Sequence, residues 1–282
     1  MADEIITSRK NPHARRAREV RDGRAEEQVF VEGIRLCEEA LCARVEFEFV
    51  LFTPALEEGE RGARLVAELR GVCPHVLAVG DKVIESVSDT KTSQGVVAVA
   101  KRPRTGMDVI GQSGGIPLVV LMHEVNNPSN AGAMLRVAEA AGATAVITTR
   151  GTTDPLSPKA LRGSMGSAFR LPLWTGATFE EALRWCAERG VRTVSADAEA
   201  ATAHTEIDWT TPHAVVVGPE AGGLSDAEKS AADVCVRIPM REPVESLNVA
   251  VALGVVLYEA ARQRGFGGTE GERQNSKGEG RE

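Results

Sequence analysis

Residues 118–149 read LVVLMHEVNNPSNAGAMLRVAEAAGATAVITT, and this stretch decides the fold class. It opens on an apolar run, Leu118–Met122, with no polar alternation, as in a strand buried on both faces. A polar turn containing Pro128 follows. From Asn130 to Ala143 small and apolar residues then recur at helical spacing. Asn130 is placed to cap that helix, with Gly132 and Ala133 permitting close approach. A second apolar run, Ala145–Thr149, completes a strand–helix–strand unit, and a helix-length crossover of this kind joins parallel strands.

The same alternation continues toward the C-terminus. TFEEALRWCAERG predicts a helix and VRTVSA a strand; HAVVVG (His213–Gly218) predicts another strand. SDAEKSAAD is a short helix with Ser225 as its cap, three residues before Glu228. VCVRIPM and the helix SLNVAVALGVVLYEAARQ (Ser246–Gln263) close the pattern, which implies a mainly parallel sheet covered on both faces. On the N-terminal side, Lys101–Pro117 mixes proline, glycine and charge, as a domain boundary does. Before it, VFVEGIRLCEEALCA, VEFEFVLF, EEGERGARLVAELRG, HVLAVG and GVVAVA alternate strand and helix in a smaller α/β unit. The expected domains are therefore residues 1–100, a linker 101–116, a larger α/β domain 117–264 and a glycine-rich disordered tail 265–282.

Composition narrows the function classes. A net charge of −7 excludes a uniformly basic surface, and with 4% aromatic residues there is no obvious stacking platform for single-stranded nucleic acid. A local basic patch remains open: Arg9–Arg24 holds Arg9, Lys10, Arg15, Arg16, Arg18, Arg21 and Arg24 against only Glu19 and Asp22. Such a run is either a solvated face or a phosphate-contacting helix. The five cysteines have no metal-ligand spacing and read as reduced thiols of a cytosolic protein. No secretory segment or membrane span is expected, and no metal site.

Three polar clusters interrupt the apolar pattern. In the first, Arg136 follows Asn130 on a helix of Ala, Leu and Val; it faces either solvent or a cleft, where its fork would hold phosphate or ribose oxygens. In the second, VVVGPEAGGLSDAE (Val215–Glu228), a strand ends in Gly218-Pro219-Glu220, with no dinucleotide or phosphate-loop fingerprint. In the third, IPMREPVESLNVAVA (Ile238–Ala252), Ser246 caps the last helix, and capping leaves Asn248 without an explanation. His123 precedes the first cluster and is a weak candidate for a general base.

Taken in order, NNPSNAGAMLRVAEAAGA, VVVGPEAGGLS and IPMREPVESLNVAVA resemble the three motifs of the SpoU (TrmH-like) RNA ribose 2'-O-methyltransferases of the SPOUT superfamily. VFVEGIRLCEEAL and VSDTKTSQGVVAV resemble the small substrate-binding domain many members carry, and KALRGSMGSAFRLPL resembles a segment between the first two motifs. The resemblance implies an α/β SPOUT domain with a deep trefoil knot, preceded by a small α/β (ribosomal protein L30e-like) domain. It implies S-adenosyl-L-methionine as cofactor, a homodimer through the C-terminal domain, and RNA as substrate. Ribosomal RNA, 23S above all, is favoured over transfer RNA; a non-catalytic RNA- or ribosome-binding protein of the same fold and a base methyltransferase are the alternatives.

Carried over by position, the resemblance makes Asn130, Arg136, Glu220, Ser246 and Asn248 the catalytic set. Cofactor contacts fall on Gly218, Glu220, Ile238, Met240 and Leu247, with Thr148, Thr149 and Gly151 as weaker candidates. RNA contacts fall on Arg9, Lys10, Arg15, Arg16, Arg18 and Arg21. Two positions depart from the pattern: Glu242 stands where glycine is usual, and Ala250 where serine is frequent. A histidine base is not expected. Arg136 orients the RNA phosphate and polarises the hydroxyl in this reading, because a guanidinium is always protonated.

Overall fold

The computed structural model describes residues 5–111 and 114–267. Two units make up the chain: residues as far as Arg104 together with Asp154–Arg170, and Thr105–Thr153 together with the chain from Leu171 onward.

In the first unit β1 (Gln28–Glu32), β2 (Phe47–Phe52), β3 (Val76–Ala78) and β4 (Val96–Lys101) form one sheet in the order β1-β4-β2-β3. β4 runs antiparallel to β1 and β2, and β3 parallel to β2. The connections hold α1 (Pro12–Arg21), α2 (Ile34–Cys42), α3 (Glu60–Val72) and α4 (Asp81–Val87). Asn11 caps α1 by accepting from the His13 N–H, and Pro12 at the first helical position has no amide to leave unpaired. Ala14, Ala17 and Val20 recur on one face of α1 and are buried with Phe30, Leu51, Val83 and Val99. α3 begins against a 3-10 turn at Pro54–Glu58, so close that a Cβ on Gly62 would collide with the Leu56 carbonyl oxygen. Only glycine fits there.

The second unit carries seven strands: β5 (Leu118–Met122), β6 (Ala145–Thr149), β7 (Leu173–Ala177), β8 (Arg192–Ala196), β9 (Thr202–Ala203), β10 (His213–Val217) and β11 (Val234–Arg237). Their order is β7-β6-β5-β10-β8-β11-β9, and every pair is parallel. β5, β6 and β10 are buried at every residue, which is why they read as unbroken apolar runs. β7 and β9 have no such run and were not expected. They are the two edges of the sheet, half covered in β7 and only two residues long in β9. Helices α5 (Pro128–Ala140), α8 (Phe179–Glu188), α9 (Asp226–Ala231) and α10 (Val249–Gln263) complete this unit. α10 packs on α5 and β10, with Gly254 facing Val137.

Residues 154–170 hold α6 (Pro158–Ser164) and α7 (Ser167–Arg170), which follow β6 in sequence but fold with the first unit. The cause is local. Arg102 grips Asp154 through two bonds of 2.6 and 3.0 Å, Arg162 pairs with Asp89, and Arg170 pairs with Glu39. Pro155, Leu156, Ala160 and Leu161 are buried beneath these pairs. Most of the expected tail lies outside the described residues; Gly265–Gly267 form a short 3-10 turn.

Candidate active site

Register brings the polar clusters to one end of the second sheet. Val217 stands opposite Met122, and Met122 opposite Thr148, so β10, β5 and β6 end level with one another. Their C-terminal ends lead into Gly218–Glu220, His123–Asn130 and Thr149–Gly151, the edge where open α/β sheets bind ligands.

Both helix caps differ from the expectation. Asn127, not Asn130, caps α5: its side chain accepts from the Ser129 N–H at 2.9 Å, with Pro128 at the first helical position. Asn248, not Ser246, caps α10, its carbonyl oxygen accepting from Ala250 N at 3.0 Å and Val251 N at 3.4 Å. The sequence offered several amides or hydroxyls near each helix start, and the proline or the apolar run alone did not say which began the turn. Ser225 does cap α9, in a reciprocal box with Glu228.

With Asn127 at the cap, the Asn130 side chain is free for another role. Its amide donates to Glu220 Oε1 at 3.1 Å, and its carbonyl oxygen accepts from the Asn248 amide at 3.2 Å. One continuous chain, Glu220–Asn130–Asn248, thus joins all three polar clusters. Asn127 adds its backbone N–H to the same Glu220 oxygen at 3.3 Å. Partial burial alone would raise the Glu220 carboxyl. Hydrogen bonds from its own N–H, the Asn130 amide and the backbone N–H groups of Asn127 and Asn126 outweigh that and hold it below its ordinary value. Glu220 is therefore a fixed anion, suited to orienting donors and unsuited to storing a proton at neutral pH.

His123 is buried and doubly held. One ring nitrogen meets Thr149 Oγ1 at 3.0 Å and the other Glu228 Oε1 at 2.8 Å. Both nitrogens are engaged within the protein, so neither is offered to a reacting hydroxyl. Thr149 also receives the Glu124 N–H, which fixes the β6 loop to the β5 loop.

Arg136 and Ser246 are exposed and form no hydrogen bond or ion pair among the described residues. Arg136 lies six residues beyond Asn130 on α5, which is about 9 Å along the axis and roughly 120° around it. Within one chain it is not part of the Glu220–Asn130–Asn248 chain. Gly218, Ile238, Met240 and Leu247 share a different feature: their backbone N–H and C=O groups have no partner among the described residues. Gly218 is also buried, and a Cβ there would stand 2.8 Å from the Leu224 backbone nitrogen. A buried main-chain group without a partner, as at Gly218, needs one. Thr148 and Thr149 are buried in β6, and Gly151, at φ +85°, turns the chain beside Glu124.

The basic run is largely engaged inside the first unit. Arg9 donates to the Lys82 carbonyl at 3.0 Å and Arg18 to the Arg9 carbonyl at 2.8 Å. Arg21 reaches the carbonyls of Ser86, Val87 and Ser88 at 3.2, 3.3 and 3.1 Å, closing the end of α4. Arg15 and Arg16 share Glu19. Only the Lys10 ammonium, of the six residues singled out, has no partner among the described residues. Among the described residues no group of side chains could hold a metal ion, and no helix is long and apolar enough to cross a membrane.

Comparison with known proteins now decides the family. The SpoU rRNA Methylase family matches residues 117–258, and the MRM3-like substrate binding domain matches residues 11–98. The chain belongs to the SpoU rRNA methylase family. It is 32% identical to an uncharacterized tRNA/rRNA methyltransferase of Synechocystis sp., over 94% of this chain and 96% of that one. It is 35% identical to the 23S rRNA (guanosine-2'-O-)-methyltransferase RlmB of Ralstonia nicotianae, over 70% of this chain and 80% of the relative. Among solved structures, the SpoU methyltransferase AviRb from Streptomyces viridochromogenes in complex with AdoMet superposes with a TM-score of 0.81. That match has 27% identity and covers 92% of this chain and all of that one (100%). The SpoU match contains every residue of the hydrogen-bonded chain, and the substrate-binding match runs from α1 into the first half of β4.

Proposed function

We propose that this protein transfers a methyl group from S-adenosyl-L-methionine to a ribose 2'-hydroxyl of RNA, with 23S ribosomal RNA as the substrate. The observation that carries the reading is the Glu220–Asn130–Asn248 chain, which ties three separate motifs into one rigid site at the ligand-binding end of the sheet. Relatives named as 23S rRNA guanosine-2'-O-methyltransferases, and an AdoMet-bound neighbour, support the same chemistry.

The free backbone groups of Gly218, Ile238, Met240 and Leu247 suit a cofactor with an adenine edge and an amino-acid tail, and we assign them to it. Thr148, Thr149 and Gly151 form the adjoining wall. Bound there, S-adenosylmethionine supplies an electrophilic methyl on a sulfonium. The protein's part is positioning. Glu220, Asn130 and Asn248 hold one another in a single orientation, and Ser246, two residues before the cap, lies at the mouth of the site. Arg136 is a permanent cation. It binds the RNA phosphate and polarises the 2'-hydroxyl, whose proton is released to solvent as the methyl group is transferred. The family resemblance implies a homodimer through the second unit, in which a second copy of the chain brings the exposed Arg136 to the site. Val251, Val255 and Tyr258, exposed at successive turns of α10, support that surface.

The reading includes the trefoil knot. The resemblance implies it, with the last strands and helix threaded through a loop; the sheet order, in which β10 lies between β5 and β8, is compatible with that path. The N-terminal unit selects the RNA, with Lys10 and the exposed Arg15 and Arg16 as its phosphate contacts. The enzyme works in the cytoplasm, in keeping with five unpaired thiols.

The test is nucleoside analysis of ribosomal and transfer RNA incubated with the protein and cofactor. A single 2'-O-methylated nucleotide in 23S RNA is expected. A methylated base, a transfer-RNA product, or no cofactor binding by calorimetry at millimolar concentration would overturn it.

A further inference from the structure

The loop from Gly218 to Leu224 carries Gly218 and Glu220 at the site and ends on α9, and none of the six residues of α9 is buried. Gly222 and Gly223 in the loop take φ of +87° and +65°, with open space where a side chain would stand. Leu224 is buried in the core, but the helix beyond it has no apolar face to keep it in place. A segment of this kind is held by polar ties or opens locally.

Side chains supply those ties. Lys229 pairs with Asp197, and Glu228 Oε1 meets His123 Nε2 at 2.8 Å. The His123 ring is buried against Phe179, with centroids 4.6 Å apart. Glu228 also accepts the Ser225 N–H and hydroxyl, which with His123 hold its carboxyl below the ordinary value. A carboxylate only accepts, so Nε2 is the donor. In a neutral ring Nδ1 then accepts the Thr149 hydroxyl at 3.0 Å, and Thr149 accepts the Glu124 N–H at 3.2 Å. The donors run in one direction, from Glu124 through Thr149 and His123 to Glu228. The backbone N–H of His123 donates to the Val217 carbonyl at 2.8 Å. One residue is thus tied to the ends of β6 and β10 and to α9.

We propose that His123 is a positioning residue: through Glu228 it holds the Gly218–Leu224 loop in the conformation that receives S-adenosyl-L-methionine. The inference rests on the assignment of Gly218 to the cofactor. Both ring nitrogens are engaged within the protein, so His123 acts through the loop and not on the reacting atoms. It secures the far end of the loop, as Asn130 secures the near end through Glu220. Without the Nε2 donor, α9 keeps the Lys229–Asp197 pair and the two glycines let the loop leave its bound conformation. Apparent affinity falls with the fraction of chains that hold the competent loop.

Two substitutions divide the bonds of the ring. In His123→Gln the amide nitrogen reaches to where Nε2 stands and still donates to Glu228, while the Thr149 hydroxyl turns to the Arg150 carbonyl, 3.3 Å away. In His123→Asn the shorter side chain reaches Thr149 and leaves Glu228 without its donor. Both lose the ring packed on Phe179, so that loss is common to the pair. Glu228→Ala cuts the same tie from the half-exposed side and keeps the Ser225 hydroxyl as the cap acceptor, which guards the test against a buried variant that does not fold.

Calorimetry of the full chain with S-adenosyl-L-methionine tests this, beside hydrogen exchange of residues 218–231 and thermal melts of the same samples. His123→Asn and Glu228→Ala should each weaken binding about tenfold, the scale of one hydrogen bond to a charged group. Exchange across residues 218–231 should quicken in both, with Tm within about 3 °C of the parent. His123→Gln should recover most of the affinity and the slow exchange. A merely structural role would instead move Tm and affinity together, and equally in the Asn and Gln variants. Equal affinity in those two variants, or unchanged exchange of residues 218–231 in both His123→Asn and Glu228→Ala, overturns the proposal. A parent chain that binds no cofactor overturns the cofactor assignment, and the exchange measurement separately decides whether His123 holds the loop.

Discussion

Asn248 donates its amide to the Asn130 carbonyl oxygen at 3.2 Å while its own carbonyl oxygen caps α10. One side chain therefore starts the last helix and fixes the centre of the site. A carboxamide is the group that can do both, since it carries an acceptor and a donor on one short stem.

The two roles separate by substitution. Asn248→Asp keeps a capping acceptor and loses the donor, so it should melt within about 2 °C of the parent. Its turnover should fall by about one to two orders of magnitude, as for a misplaced positioning group. Asn248→Ala loses both and should cost about 1 kcal/mol of stability as well. Thermal melts beside methyl-transfer rates distinguish the two; equal rates for Asp and Asn at this position would exclude the positioning role.

Arg136→Ala should leave Tm and cofactor affinity unchanged, because the side chain is exposed and unpaired. Methyl transfer should drop by about two to three orders of magnitude, the scale of a lost charge-stabilising group. Arg136→Lys should recover little, since the ammonium lacks the planar fork. A variant that unfolds, or one that turns over normally, contradicts the assignment.

Glu220 gives a pH signature. Its folded-state pKa lies below the ordinary 4.5, so the stabilisation is present above that value and disappears as pH falls through the lower folded value. Glu220→Gln should therefore flatten the acid limb of stability below about pH 5 and leave the slope near neutrality unaltered. Urea melts of both proteins between pH 3 and 7 measure this; parallel acid limbs would mean that the carboxylate is not held as described.

Val251→Glu with Tyr258→Glu places charge on the exposed face of α10. Sedimentation of the parent at micromolar concentration should give twice the 30.0 kDa chain mass, and the double variant should give the single mass with lost turnover. A parent that sediments as one chain removes the dimer from the proposal.

Deleting residues 1–104 should harm more than RNA binding. Asp154, Arg162 and Arg170 lose their partners Arg102, Asp89 and Glu39, and Leu156 and Leu161 lose their cover. Trypsin should then cut after Lys159 and Arg162 in the truncated chain within minutes while sparing those bonds in the full one. Equal protection in both would show that this segment holds itself.

The sequence by itself determined the parallel sheet and the family that the three motifs mark. Buried strands must be apolar throughout, and β5, β6 and β10 carry that requirement in consecutive residues. The edges β7 and β9 escaped because a half-covered strand has no such requirement. Only the tertiary structure decided which asparagine caps and which one joins the site. Capping is a choice among neighbours at one helix start, whereas the Glu220–Asn130–Asn248 chain spans residues about 90 and 118 positions apart. It likewise decided that Asp154–Arg170 folds with the first unit and that most of the basic run is held by carbonyls and carboxylates. A charge is legible in a sequence; its partner is set by the packing of segments that are distant along the chain.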